Sequence, residues 1–123
     1  MGRKDIKIII SGLMGKMGKS LENTLKDVRF KEIFSNLEII PFEELSDTKN
    51  KDSSVIIDFS ETSHTVEVLN KATEHNIPMV IGTTGFNEEQ YAVIRDSSNK
   101  IPIVLEPNTS IGIATLKDML SSL

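Results

Sequence analysis

Apolar residues in this chain fall into short continuous runs, separated by stretches in which they recur every three or four positions. Ile6 to Ile10 is nearly unbroken, with Lys7 its one charge, and such a run predicts a strand buried on both faces. Glycines 12, 15 and 18 follow at once, and the next apolar residues are Met17, Leu21, Leu25 and Val28, one face of a helix. Between Arg29 and Ser54 the pattern is ambiguous. Phe30 to Phe34 and Leu37 to Phe42 each have strand character, and Ser46 to Ser54 is polar and reads as a loop. Val55 to Ser60 predicts a strand ending in polar residues. The helix after it has Val66, Leu69 and Ala72 on its apolar face and is ended by His75-Asn76-Ile77-Pro78. Met79 to Ile81 is the next strand, leading into Gly82-Thr83-Thr84-Gly85-Phe86. Asn87 and Gln90 have the spacing of a capping box. Ile101 to Leu105 predicts a further strand, with Pro102 near its start, where a missing N–H is tolerated. Ile113, Leu116, Leu120 and Leu123 share a last helical face, with Met119 beside them and no glycine cap or polar finish.

Strands that alternate with helices imply parallel pairing through right-handed crossovers. The expected fold class is α/β, a doubly wound parallel sheet of Rossmann-like type in a single domain over residues 1–112. The helix beginning at 113–123 is expected to lead into a further domain absent from the chain; a complete small protein with a frayed last turn is the alternative.

Composition narrows the function. The 123 residues suit one domain. Without cysteine, disulfides, thiolate metal sites and a cysteine nucleophile are excluded. A net charge of -4 gives no basic face for nucleic acid. The lack of tryptophan removes the best stacking platform for bases. No apolar run has the length of a membrane span. Met1-Gly2 invites a myristoylation reading, but Ile6 stands where that motif needs Ser or Thr. The expected setting is cytoplasmic, with no nucleic acid and no membrane as partner.

Three segments carry candidate chemistry. Gly12-Leu13-Met14-Gly15-Lys16-Met17-Gly18 lies between the first strand and the first helix. A backbone that must turn tightly and approach a pyrophosphate needs glycine there, and the helix start supplies free N–H groups and positive dipole. The spacing is G-x-x-G-x-x-G, with Met14 where many dinucleotide sites have glycine; a structural turn is the competing reading. Lys16 and Lys19 oppose the helix dipole unless an anion sits there, and otherwise are solvated surface residues. Gly82-Thr83-Thr84-Gly85-Phe86 leaves a strand at the edge where ligands bind in open α/β sheets, or is a plain turn before a helix. Glu106-Pro107-Asn108-Thr109-Ser110-Ile111-Gly112 leaves another strand at that edge. Asn108 has the donor and acceptor that suit an amide-bearing ring, while Asn108 or Ser110 could equally cap the last helix.

Other residues are assigned structural roles. Asp58 suits hydrogen bonding to loop N–H groups. His64 and His75 read as surface residues, His75 at a helix end where a cation is favourable. No metal-ligand spacing and no histidine–carboxylate pair appear. Glu38 has the count from Gly18 for a ribose-binding acid, though Ser35 or Asn36 could hold the strand tip. Arg29 and Lys31 could serve a 2′-phosphate, so the choice between NADH and NADPH stays open.

Taken together, Gly12-Leu-Met-Gly-Lys-Met-Gly18, Ile57-Asp58-Phe59-Ser60, Gly82-Thr-Thr-Gly-Phe86 and Pro107-Asn-Thr-Ser-Ile-Gly112 resemble, in order, the N-terminal part of the dihydrodipicolinate reductase family. The resemblance covers nearly the whole chain and is weakest from Arg29 to Ser54. It implies an NADH- or NADPH-dependent reductase of diaminopimelate and lysine biosynthesis. It implies that Gly12, Leu13, Met14, Gly15, Lys16 and Met17 hold the dinucleotide phosphates. Gly82, Thr83 and Thr84 would meet the nicotinamide and its ribose, and Glu106, Pro107, Asn108 and Thr109 would close over the nicotinamide. Lys16, Glu106 and Thr109 depart from the usual Arg, small residue and Phe or Met. The family's second domain, which binds and protonates the substrate and builds a homotetramer, has no counterpart here. No catalytic residue is therefore expected in this chain, and the piece alone should bind cofactor with little or no turnover. A stand-alone nucleotide-binding or sensor module that docks a partner through its last helix is the alternative. A sugar or semialdehyde dehydrogenase shares the fold by analogy only.

Overall fold

The structure, a computed structural model, describes residues 4–12, 19, 23, 34–45 and 54–106. Five parallel strands form one sheet: β1 (Lys4–Ser11), β2 (Phe34–Pro41), β3 (Ser54–Asp58), β4 (Met79–Ile81) and β5 (Ile103–Leu105). Their order is β2-β1-β3-β4-β5. β1 lies inside the sheet, with Ile9 opposite Ile40 on one side and Ile56 on the other. The chain thus steps from β1 to one side, then returns to build outward on the other, with β3, β4 and β5 added in turn. The strand order reverses between β1 and β3, and the doubly wound α/β fold read from the sequence is the observed one. In fold topology, such a reversal opens a crevice at the carboxyl ends of the strands.

The central strands are buried on both faces, as continuous apolar runs require. On one face Ile9, Ile56, Met79 and Ile81 pack with Val68, Leu69, Ala72, Ile77, Phe86, Ile94 and Ile101. On the other, Ile8, Ile10, Val55, Ile57 and Val80 are also buried. Each buried aliphatic side chain contributes about 1.5–3 kcal/mol relative to leaving it in water.

Two helices cover the first face. α1 (Thr62–His75) buries Thr65, Val68, Leu69, Ala72 and His75. This corrects the expected face, because Val66 is only half-buried while Val68 and the polar Thr65 point inward. It also corrects His75, which is 6% exposed rather than a surface residue. The reason is local: Asn76 takes the left-handed conformation that ends the helix, and the Ile77 N–H returns to the Ala72 carbonyl. Buried Ile77 thereby folds the last turn against the sheet. α2 (Glu88–Ser97) has the predicted capping box, with Asn87 Oδ1 accepting from the Gln90 N–H and Gln90 Oε1 from the Asn87 N–H, each at 2.8 Å. Phe86, before the cap, meets Tyr91 edge-on at 5.6 Å, a hydrophobic staple. Glu88 and Glu89 in its first turn and Arg95 in its last complement the helix dipole.

Other boundaries differ from expectation. β2 is one strand over Phe34–Pro41, followed by a single 3-10 turn (Phe42–Glu44); the Phe30 to Phe34 alternative lies outside the described residues up to Phe34. β5 begins at Ile103 because Pro102 has no N–H to donate, and only its carbonyl engages the sheet, through the Met79 N–H at 3.0 Å. Ile101 is buried by packing, not by pairing. Of the first predicted helix, Lys19 and Asn23 are described; both are helical and exposed. The expected helix over 113–123 lies outside the described residues. Among the described residues, no helix is long and apolar enough to cross a membrane.

Candidate functional site

The carboxyl ends of β1, β3, β4 and β5 are stitched to one another by backbone hydrogen bonds. The Phe59 N–H donates to the Ser11 carbonyl at 2.9 Å, the Gly82 N–H to Asp58 at 2.8 Å, and the Glu106 N–H to Ile81 at 2.9 Å. Each loop therefore begins by docking on the last carbonyl of the neighbouring strand. This brings Gly12, Phe59-Ser60, Gly82-Thr83-Thr84 and Glu106 to one edge.

Gly12 makes the turn out of β1 with φ +90. A β-carbon there would lie 2.9 Å from the Phe59 carbonyl oxygen and 3.0 Å from its carbon. Only glycine tolerates both that conformation and that approach. Gly82 is constrained differently: a β-carbon on it would overlap the Phe59 ring. The space that glycine frees after β4 is occupied by this ring, an aromatic residue of the same edge.

Beside this contact lies a cleft of about 410 Å³ lined by Phe59, Ser60, Glu61, Thr62, Gly82, Thr83 and Thr84. Asp58 is fully buried, and its carboxylate accepts hydrogen bonds from the β3 loop, the β4 loop and the first turn of α1. Oδ1 accepts from Ser60 Oγ at 2.5 Å and more weakly from the Ser60 N–H at 3.4 Å. Oδ2 accepts from Thr83 Oγ1 at 2.9 Å and closely from Thr65 Oγ1. An ionised carboxylate has about four acceptor positions, and all four are used. Each threonine hydroxyl has one hydrogen, so the 3.1 Å approach of Thr65 Oγ1 to Thr83 Oγ1 is a contact within this cluster rather than an added bond.

The candidate residues divide accordingly. Gly12, Gly82, Thr83, Thr84 and Glu106 lie at this edge; Thr84 is exposed, Thr83 is 7% exposed, and Glu106 is half-buried. Leu13, Met14, Gly15, Lys16, Met17, Pro107, Asn108 and Thr109 lie outside the described residues. Glu38 is interior to β2, opposite Lys7, and Ser35 and Asn36 lie near that strand's start, so none of the three is at its tip. His64 is half-buried, 3.4 Å from Glu67 and edge-on to Phe42. Thr65, and Glu61 and Thr62 in the cleft wall, were not anticipated. The only signal for Thr65 was a hydroxyl in the first turn of the helix that follows a strand-ending aspartate. Among the described residues, no group of three acidic or histidine side chains could hold a metal.

Residues 6–109 match the family described as dihydrodipicolinate reductase, N-terminus. The chain belongs to that family. Among relatives of dihydrodipicolinate reductase type, the 4-hydroxy-tetrahydrodipicolinate reductase of Buchnera aphidicola is 33% identical over 95% of this chain and 50% of its own length. Those of Clostridium tetani (31%, 96% and 49%) and Campylobacter jejuni strain 81116 (39%, 94% and 47%) are similar. The chain spans about half the length of the curated relatives it matches. Among solved structures, aspartate semialdehyde dehydrogenase II of Vibrio cholerae superposes with a TM-score of 0.56, covering 85% of this chain and 42% of that one. At 14% identity this likeness concerns the fold alone.

Proposed function

We propose that this chain is the dinucleotide-binding half of a 4-hydroxy-tetrahydrodipicolinate reductase, acting in diaminopimelate and lysine synthesis in the cytoplasm. The observation that carries the reading is the Gly12 turn at the β1/β3 reversal, packed on Phe59 and opening beside the Gly82–Thr84 wall, in a member of this family. Gly12 to Met17 would hold the phosphates of NADH or NADPH, using backbone N–H groups at the start of the helix. Gly82, Thr83 and Thr84 would present backbone groups and the exposed Thr84 hydroxyl to the nicotinamide and its ribose. Glu106 to Thr109 would close the other side. A bound reduced nicotinamide supplies the hydride; this chain binds it, orients it and keeps water from one of its faces. Substrate binding, proton delivery and assembly into a homotetramer are assigned to a second domain, as the relatives' length supports.

Calorimetric titration with NADH and with NADPH tests the reading, followed by addition of substrate to the same sample. Binding of a dinucleotide without turnover is expected. Binding of neither refutes the cofactor reading. Normal turnover by the 123-residue chain refutes the division of labour.

A further inference from the structure

We propose that Asp58 and Thr83 form a positioning clamp that holds the loop after β4 in the shape the cofactor meets. Asp58 touches no cofactor in this arrangement. It acts through Thr83, and the inference rests on the dinucleotide-binding reading above.

Residues 82–87 have no regular secondary structure. The loop is tied at its start by the Gly82 N–H on the Asp58 carbonyl at 2.8 Å, and at its end by buried Phe86. Between these points Thr84 and Gly85 are exposed, and among the described residues nothing lies within 4 Å of where a β-carbon on Gly85 would be. Over residues 82–86, among those described, the side-chain hydrogen bond is the one Thr83 Oγ1 donates to Asp58 Oδ2 at 2.9 Å, with the Ser60 carbonyl in contact at 3.2 Å. The same carboxylate holds Ser60, at the cleft wall, and Thr65, in the first turn of α1. One buried anion therefore fixes the β3 loop, the β4 loop and the start of α1 relative to one another.

The chemistry of Thr83 follows. Its single hydrogen is committed inward, so its hydroxyl is a structural donor, and its backbone is what it offers to the cleft. Without the clamp, the middle of the loop regains conformations that cofactor binding must remove again. The loss then appears in affinity as well as in stability. That separates a positioning role from a merely structural one.

The test uses the full chain with NADH, read by the emission of the bound nicotinamide, and hydrogen exchange of the loop amides without cofactor. Thr83→Val keeps the shape and removes the donor; Asp58→Asn keeps the shape and removes the charge; Thr83→Ser restores the hydroxyl. Ile94→Ala, in the core of α2, lowers stability away from the cleft. Loss of a hydrogen bond to a charged group predicts dissociation constants about tenfold or more higher for Thr83→Val and Asp58→Asn. Thr83→Ser and Ile94→Ala should bind as the parent does, at a temperature where all are folded. Exchange at Thr84 and Gly85 should rise in the first two variants only. Parental affinity and exchange in Thr83→Val and Asp58→Asn overturn the clamp, as does an equal loss in Ile94→Ala. A parent chain that binds neither dinucleotide overturns the function it rests on; raised exchange confined to Thr83→Val and Asp58→Asn would then leave a loop clamp with no cofactor role.

Discussion

Gly12 and Gly85 offer a controlled comparison, because their φ values are nearly the same, +90 and +91, while their surroundings are opposite. Replacing either by alanine forces an L-residue into a conformation costing about 1–2 kcal/mol. Each replacement also recovers about 0.4–1 kcal/mol by restricting the unfolded chain. At Gly85 no further cost arises, since among the described residues nothing lies within 4 Å of the new β-carbon. At Gly12 the new atom meets the Phe59 carbonyl group at 2.9 and 3.0 Å, and the Ser60 nitrogen at 3.3 Å. These are backbone atoms held by the Phe59–Ser11 hydrogen bond, so they cannot swing aside as a side chain would. Overpacking of this kind costs a further 1–3 kcal/mol or so. Gly85→Ala should thus lose up to about 1.5 kcal/mol, and Gly12→Ala about 1–3 kcal/mol more. At about 3–6 °C per kcal/mol for a chain of this size, the two melting temperatures should differ by roughly 3–18 °C. Thermal denaturation followed by circular dichroism, with urea titrations beside it, measures the difference. Equal melting temperatures for the two variants would refute the packing of β1's turn on the β3 loop.

Further outcomes follow from the same geometry. Gly82→Ala should be destabilising because its β-carbon meets the Phe59 ring, and combination with Phe59→Ala should show a coupling of about 0.5–3 kcal/mol in a double-mutant cycle; strict additivity in urea melts would contradict the contact. Asn87→Ala removes one half of the α2 capping box and should cost about 1 kcal/mol, whereas Asn87→Asp should cost far less. Ile56→Ala, in the centre of the sheet, should lose about 2–5 kcal/mol, as urea titration followed by far-ultraviolet circular dichroism would report.

What the sequence made legible was what local periodicity and turn chemistry encode. The buried strands, the capping box at Asn87 and the parallel crossovers needed no knowledge of distant residues. The phase of α1 was misjudged because Thr65 is a polar residue on the buried face, and a template that counts apolar residues cannot see it. It is buried because Asp58 satisfies its hydroxyl, a partner supplied by the preceding strand. The glycines carried a similar ambiguity. Glycine signals that something comes close, without saying what: at positions 12 and 82 it is the Phe59 backbone and ring. Asp58 was recognisable as an acceptor for loop donors. Two of those donors, Thr65 and Thr83, lie on separate segments, so their convergence depends on sheet order and not on spacing.

The position of β1 between β2 and β3 also bears on the order in which the molecule can assemble. β3, β4 and β5 join through successive crossovers between near neighbours in sequence, as with Ile56 and Met79, or Val80 and Val104. β1 pairs with β2 somewhat farther along the chain, as Ile8 does with Ile39, and its β3 partner is about twice as far as those neighbours, as Ile8 with Val55. Loop-closure entropy favours the shorter connections first. The segment from β3 to β5 is thus the natural nucleus, and insertion of β1 a late step. Gly12 reaches Phe59 only when β1 docks, so the glycine turn and the cleft wall meet at the end of folding. A partly folded chain would carry the Asp58–Thr83 cluster but no competent pocket, and dinucleotide would stabilise only the finished sheet.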